Sequence, residues 1–319
     1  MSAREGIGVD LGGTQLRVGV VGEGSDLLYE DVAGSTGLEP DTLLALLEER
    51  LRTALSKHPE VAGIGLGVPC TIDRDRGECV QAVNLPLRGV PLRDELADRL
   101  GVPVSVDNDA NAAVFGEYRC GVARGARNVV MLTIGTGIGG GLIVGGELFR
   151  GSHGAGAELG HIVVDSDGPR CQGNCPNRGC IEAFASGTAI GIAGAELAAR
   201  DPDSQLGRMH AAGEPIDGRA VTAAALAGDE ASAAILAAAG ARLGAALSGL
   251  ANAFDPDVIV IGGGVAAAGE LLVGPAREQL RARALAPQNE VPVEVAALGP
   301  RAGMIGAAKL ALEELEVTA

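Results

Sequence analysis

A strand, a glycine turn and a second strand occur twice in this chain, and that duplication constrains its fold more than any other feature. Residues 7–22 read IGVDLGGTQLRVGVVG and residues 130–145 read VMLTIGTGIGGGLIVG. Laid over each other at an offset of 123 residues, Asp10 meets Thr133 and Gly12 meets Gly135. Self-similarity of this kind predicts two related substructures, each opening with a hairpin. Glycine suits such turns because it accepts positive φ and lets backbone approach a ligand closely. Successive turn amides also form concavities that bind anions. Either turn alone reads as a tight hairpin. Two matched turns, both flanked by threonine, are expected to face one another and hold a polyphosphate from both sides.

A third glycine cluster lies in residues 257–284, DVIVIGGGVAAAGELLVGPAREQLRARA, which read as a buried strand over 258–261, a turn and a helix. It lacks the GxGxxG spacing and the downstream acidic residue of a dinucleotide fingerprint. No GxxxxGK[ST] loop occurs in the chain. A plain strand-to-helix turn and a nucleoside site both remain open for it. Elsewhere, residues 42–57, 92–100, 110–118 and 304–315 read as helices, and 61–68 and 102–106 as strands. Residues 183–252, rich in alanine, read as helical throughout. Alternating strands and helices predict an α/β architecture with covered sheets. The uncharged run 129–146 reaches bilayer-spanning length, but its seven glycines and two threonines alternate as strands around a turn.

A net charge of −16 argues against a nucleic-acid backbone or an anionic membrane as partner, since both select cationic surfaces. It does not bar a phosphorylated ligand, which backbone N–H groups can hold. Six cysteines in 319 residues are too few for a disulfide scaffold, and the opening residues MSAREGIGVDLGG hold no apolar stretch, so no export signal is expected. The expected location is cytoplasmic, where clustered cysteines hold metal more often than they pair. Cys70, Cys79 and Cys120 are dispersed and read as ordinary semi-buried thiols; His58 and His210 read as surface residues.

VPVSVDNDANAAVFGE, residues 102–117, sets Asp107, Asn108 and Asp109 where a strand gives way to a helix. Any one of them could cap the helix, but only one can. Ligands of open α/β sheets sit beyond the carboxyl ends of strands, where these side chains project. A carboxylate there, opposite two phosphate-binding turns, suits a general base in phosphoryl transfer to a hydroxyl.

DLGGTQ (10–15), DNDANAA (107–113), TIGTGIGGG (133–141), ELGH (158–161) and CPNRGCIEAFASG (175–187) follow in order. Together they resemble the ROK family of sugar kinases and regulators, and among its members most the glucose-phosphorylating ones. The resemblance implies an actin-like, hexokinase-type ATPase fold: two ribonuclease-H-like domains flanking a cleft, residues 1–108 with 304–319 forming the smaller and 109–303 the larger. It implies ATP- and Mg²⁺-dependent transfer to the 6-hydroxyl of a hexose, glucose first, with another hexose, an N-acetylated amino sugar or polyphosphate as alternatives. Asp109 would be the base; Asn108, Glu158, His161 and Glu182 would bind ring hydroxyls. Asp10 would steer Mg²⁺. Gly12, Gly13 and Thr14 would line one side of the phosphate channel, Thr133, Gly135, Thr136 and Gly137 the other, and Gly262 and Gly263 would lie near the adenosine. Segments 67–73 and 84–86 would face the cleft, and His153 would sit in a loop near the sugar. Family members are commonly dimers or tetramers. The remaining alternative is a sugar-sensing regulator without kinase activity; the family's regulators carry a DNA-binding module ahead of the first glycine motif, where this chain has nine residues before Asp10.

The resemblance also implies a structural zinc ion on His161, Cys171, Cys175 and Cys180. Family spacing is C-x-C-x4-C, whereas Cys171 stands four residues before Cys175. Structural zinc tolerates such an arm. A Cys171–Cys175 disulfide, or free thiols beside a hydrogen-bonded His161, are the alternatives.

Overall fold

The computed structural model describes residues 4–82 and 85–318. Its first elements are β1 (Glu5–Leu11), β2 (Gln15–Gly22), β3 (Leu27–Gly34), α1 (Pro40–Lys57), β4 (Val61–Val68), β5 (Cys70–Asp73), β6 (Glu78–Ala82), α2 (Leu92–Leu100), β7 (Val104–Asn108) and α3 (Asp109–Cys120). There follow β8 (Val129–Ile134), β9 (Ile138–Val144), β10 (Glu147–Leu148), α4 (Glu182–Ala185), α5 (Gly187–Arg200), α6 (Gln205–Ala211), α7 (Gly218–Leu226), α8 (Glu230–Phe254), β11 (Val258–Gly262), α9 (Glu270–Arg283), β12 (Val293–Val295) and α10 (Ala302–Thr318).

The strands form two five-stranded sheets of matching plan, β3-β2-β1-β4-β7 and β10-β9-β8-β11-β12. In each, an antiparallel meander continues into two parallel strands. The internal repeat holds down to the register: Asp10 pairs with Gly67 on β4, and its counterpart Thr133 with Gly262 on β11. Near-continuous burial along β1, β4 and β8 is what sheets covered on both faces require.

Helix α1 starts with Pro40 and Asp41 and ends with Lys57, each suited to its end of the helix dipole. It lays Leu43, Leu47, Leu51 and Ala54 on the first sheet. With no tryptophan, the second sheet's core is aliphatic, built from residues such as Leu132, Ile134, Leu243, Leu247 and Ile259. Helix α8 is long and apolar enough to cross a bilayer by length and composition, but half of its most apolar stretch is buried here, against α7 and α9. Between the two sheets run α3 and α10. A Cβ on Gly306 would lie 1.7 Å from the Ala112 carbonyl, so only glycine permits this crossing.

Several expectations need correcting. The alanine-rich stretch 183–252 is five helices rather than one run. Ser186, Ser204, Asp217 and Asp229 each interrupt it by capping the next helix through a side-chain oxygen. The strand expected over 102–106 runs to Asn108. Cys70 and Cys79 are not thiols: β5 and β6 fold back on each other and join them in a disulfide, with 5.9 Å between Cα atoms. Cys120 is free, with Sγ 2.9 Å from Ser25 Oγ. His58 is half-buried rather than exposed, its Nδ1 2.9 Å from Glu5. Asn84 of the 84–86 segment lies outside the described residues.

Candidate active site

The N-terminus of α3 touches both sheets. At Gly67 on β4, a Cβ would sit 3.5 Å from both the Asp109 Cα and the Val9 carbonyl; at Gly139 on β9, one would sit 3.1 Å from Ala110 and 2.6 Å from the Thr133 hydroxyl. Asp109 therefore stands between the end of β1, which carries Asp10, and the end of β8, which carries Thr133. Asn108, not an aspartate, takes the capping position: its Oδ1 accepts from the amides of Ala110 and Asn111 at 2.9 and 3.2 Å. Asp109, one residue inside the helix, accepts from Ala110 N at 2.9 Å. Burial raises the Asp109 carboxyl above the ordinary aspartate value; the Ala110 amide opposes this and the charge of Glu158 adds to it. Asp10 is raised from 3.8 to about 7, first by burial and then by Asp109, against the pull of Arg17.

The two glycine turns are braced from behind. In the first, Gly12 N donates to Gln15 O (2.8 Å), while Ser35 donates its hydroxyl to Gly12 O (2.8 Å) and its amide to Thr14 O (3.1 Å). In the second, Gly135 O accepts from Gly187 N at 2.7 Å and Thr136 O from the Thr188 hydroxyl at 2.8 Å, so the start of α5 occupies its carbonyls. The third glycine cluster abuts the second turn. Gly263 has φ of 83°, and a Cβ there would come within 2.4 Å of the Ile134 carbonyl.

On the other flank, Glu158 is exposed and precedes a short 3₁₀ turn, Leu159–His161. His161, Cys171, Cys175 and Cys180 converge, one donor atom from each lying within 4.8 Å of the rest. His161 Nδ1 is 3.5 Å from Cys171 Sγ, and Cys175 Sγ is 3.9 Å from Cys180 Sγ. The longer spacing before Cys175 is taken up by a turn in which Cys175 N donates to Gln172 O and Gly173 adopts φ of 57°. Three thiols and one imidazole at this closeness could hold a metal ion, and their chemistry fits the donor set that structural zinc takes. Burial raises the Cys171 and Cys180 thiols above their usual values. Glu182 is buried beside this cluster, with Oε1 3.8 Å from Cys171 Sγ and Oε2 accepting from Ile138 N at 2.7 Å. It is thereby tied to the second glycine turn as well.

The sequence reading missed Asp107 as an ion-pair residue: its Oδ2 accepts from Arg150 Nε at 2.6 Å. It missed Ser35 too, whose only signal was a serine following β3. His153 lies exposed in the loop after Arg150. A cavity of about 500 Å³ between α5 and α8 is lined by Ile190, Leu197, Ile235 and other apolar groups together with Arg200 and Arg242, and contains none of these site residues.

The sequence profile of the ROK family matches residues 6–314. The glucokinase of Thermotoga maritima is 40% identical over 315 residues, covering 97% of this chain and 98% of that protein. Among solved structures, a ROK family glucokinase from Streptomyces griseus in complex with glucose and AMPPNP superposes with a TM-score of 0.86 at 35% identity, covering 97% and 99% of the two chains. The ROK hexokinase from Thermus thermophilus gives 0.77 at 35% identity, covering 98% and 99%. The fold is thus the actin-like, hexokinase-type one expected from the motifs, and the chain belongs to the ROK family.

Proposed function

We propose that this protein is a glucokinase that transfers the γ-phosphoryl group of ATP to the 6-hydroxyl of glucose. The observation that carries the reading is the division of labour at α3. Asn108 caps the helix, and Asp109, one residue on, stands buried where the ends of β1 and β8 approach the N-terminus of α3. Full-length similarity to glucokinases, one of them solved with glucose and an ATP analogue, supports the choice of sugar and donor.

In this reading the Asp109 carboxylate accepts the proton of the 6-hydroxyl as that oxygen attacks the γ-phosphorus; the bond to the bridging oxygen breaks and ADP leaves. A carboxyl raised by burial is a stronger base than an ordinary aspartate. Asn108, Glu158, His161 and Glu182 orient the sugar, while Gly12, Gly13 and Thr14 on one side and Thr133, Gly135, Thr136 and Gly137 on the other hold the phosphates. Gly262 and Gly263 border the adenosine. The lobes, residues 1–108 with 304–319 and residues 109–303, close over the reactants and exclude water. Asp10 would steer Mg²⁺ through water, and the ion would neutralise phosphate charge. His161, Cys171, Cys175 and Cys180 would hold a structural zinc ion, which fixes the ring angle of His161 and leaves its second nitrogen for a sugar hydroxyl.

The test is kcat/KM for a panel of hexoses and N-acetylated amino sugars, with ATP or polyphosphate as donor. Glucose with ATP should lead. Asp109→Asn should lower kcat about 10²- to 10⁴-fold with glucose binding retained by calorimetry. Unchanged turnover would remove Asp109 as the base.

A further inference from the structure

We propose that Arg150 is a positioning residue for phosphoryl transfer, latching the loop that leads to Glu158 onto the strand end that presents Asn108 and Asp109. The proposal rests on the kinase reading above.

Asp107 is 7% exposed at the end of β7. Its Oδ1 accepts from Asn108 N at 2.8 Å and from Asn111 Nδ2 at 2.9 Å, so it braces both the capping residue and the first turn of α3. Its Oδ2 accepts from Arg150 Nε at 2.6 Å, and the Arg150 side chain is 19% exposed. Removing the guanidinium would leave a buried carboxylate charge unpaired, next to the capping residue.

Arg150 also begins a folded loop. Gly156 N donates back to Arg150 O at 2.9 Å, closing it. Its tip presses on the β5–β6 hairpin: a Cβ on Gly154 would lie 2.3 Å from the Ile72 carbonyl. Its end fits under β9, where a Cβ on Gly140 would lie 2.3 Å from the Ala157 carbonyl. Beyond that contact the chain continues to Glu158 and His161. Arg150 Nη2 lies 3.9 Å from Glu314 on α10, and Glu314 also pairs with Arg74 in the β5–β6 turn. The ion pair therefore joins a loop following the second sheet to the strand end of the first.

The expected consequence is selective. Arg150→Met should lower kcat/KM for glucose about 10- to 100-fold, with the KM for ATP within about twofold of the parent, because both glycine turns are braced independently of Arg150. Arg150→Lys, which keeps the charge but not the fork of donors, should recover part of the loss. Hydrogen exchange in the sugar-free protein supplies a readout independent of kinase activity: amides 151–157 should exchange faster in Arg150→Met, while α8 and α9 keep their protection. Should Arg150→Met prove too unstable to purify, Arg150→Lys alone serves, with the same glucose-selective loss and faster loop exchange at smaller amplitude. Unchanged loop exchange, or equal losses toward glucose and ATP, would overturn the proposal. A parent protein without kinase activity would refute the kinase reading instead, leaving the exchange result to judge the latch.

Discussion

Asp10 offers a test in which stability and function should move in opposite directions. Its carboxyl is raised from 3.8 to about 7 because burial and the neighbouring Asp109 disfavour the charge. A carboxyl raised on folding favours the folded state most below its unfolded value, and that advantage drains away as pH rises through the folded value. The shift of about three units corresponds to about 4 kcal/mol at about 1.36 kcal/mol per unit. Asp10 keeps an edge in contact with solvent, so screening brings a realistic figure nearer 2 kcal/mol. Asp10→Asn matches the shape and removes the charge. Urea unfolding should show little difference from the parent near pH 4 and a stabilisation growing to about 2–4 kcal/mol by pH 8, with the denaturant slope unchanged. Kinase turnover should fall to background in the same variant, as a residue retained for function against stability would show. A stabilisation independent of pH, or a loss of stability at pH 8, would refute the electrostatic reasoning.

Other expectations are narrower. If zinc sits on the cluster as proposed, the parent should carry zinc by atomic absorption, and Cys180→Ser should lose it and raise the KM for glucose while leaving that for ATP in place. Cys79→Ser opens a link spanning nine residues, worth about 2.6 kcal/mol from loop-closure entropy; reductant should destabilise the parent by a similar amount and leave the variant unmoved. Gly263→Ala forces a side chain into positive φ and against Ile134, so it should raise the KM for ATP and cost about 1–3 kcal/mol in thermal unfolding.

The features legible in the sequence were those written in local chemistry. Two glycine turns of the same plan announced two sheets of the same order, and the donor types of His161, Cys171, Cys175 and Cys180 announced a cluster. What escaped depended on register or on distance along the chain. The Cys70–Cys79 link arises from a hairpin containing a bulge, and nothing in residues 70–79 alone fixes which side chains face each other. Arg150 and Asp107 are 43 residues apart and on different elements, and a lone ion pair leaves no periodic trace. The breaks at Ser186, Ser204, Asp217 and Asp229 were different. Their capping residues stood in plain view, but the helix propensity of the surrounding alanines outweighed them in the reading.

The position of Glu182 argues that the cysteine cluster and the phosphate side of the site are one mechanical unit. Glu182 follows Cys180 by two residues, and Ile181 N donates to Ile162 O, one residue beyond His161, at 2.9 Å. The Glu182 carboxylate reaches the other way, to Ile138 N, and leaves so little room that a Cβ on Gly137 would lie 2.4 Å from Oε2. Gly135 is held in turn by the amide of Gly187 at the start of α5, just beyond α4. A short rigid chain therefore runs from the cluster through Glu182 to the second glycine turn and back through α5. Packed groups without slack move together or not at all. Holding His161 in place thus also sets the turn proposed to grip the phosphates, which is the work that a zinc ion proposed for this cluster would do with all four of its positions filled by protein.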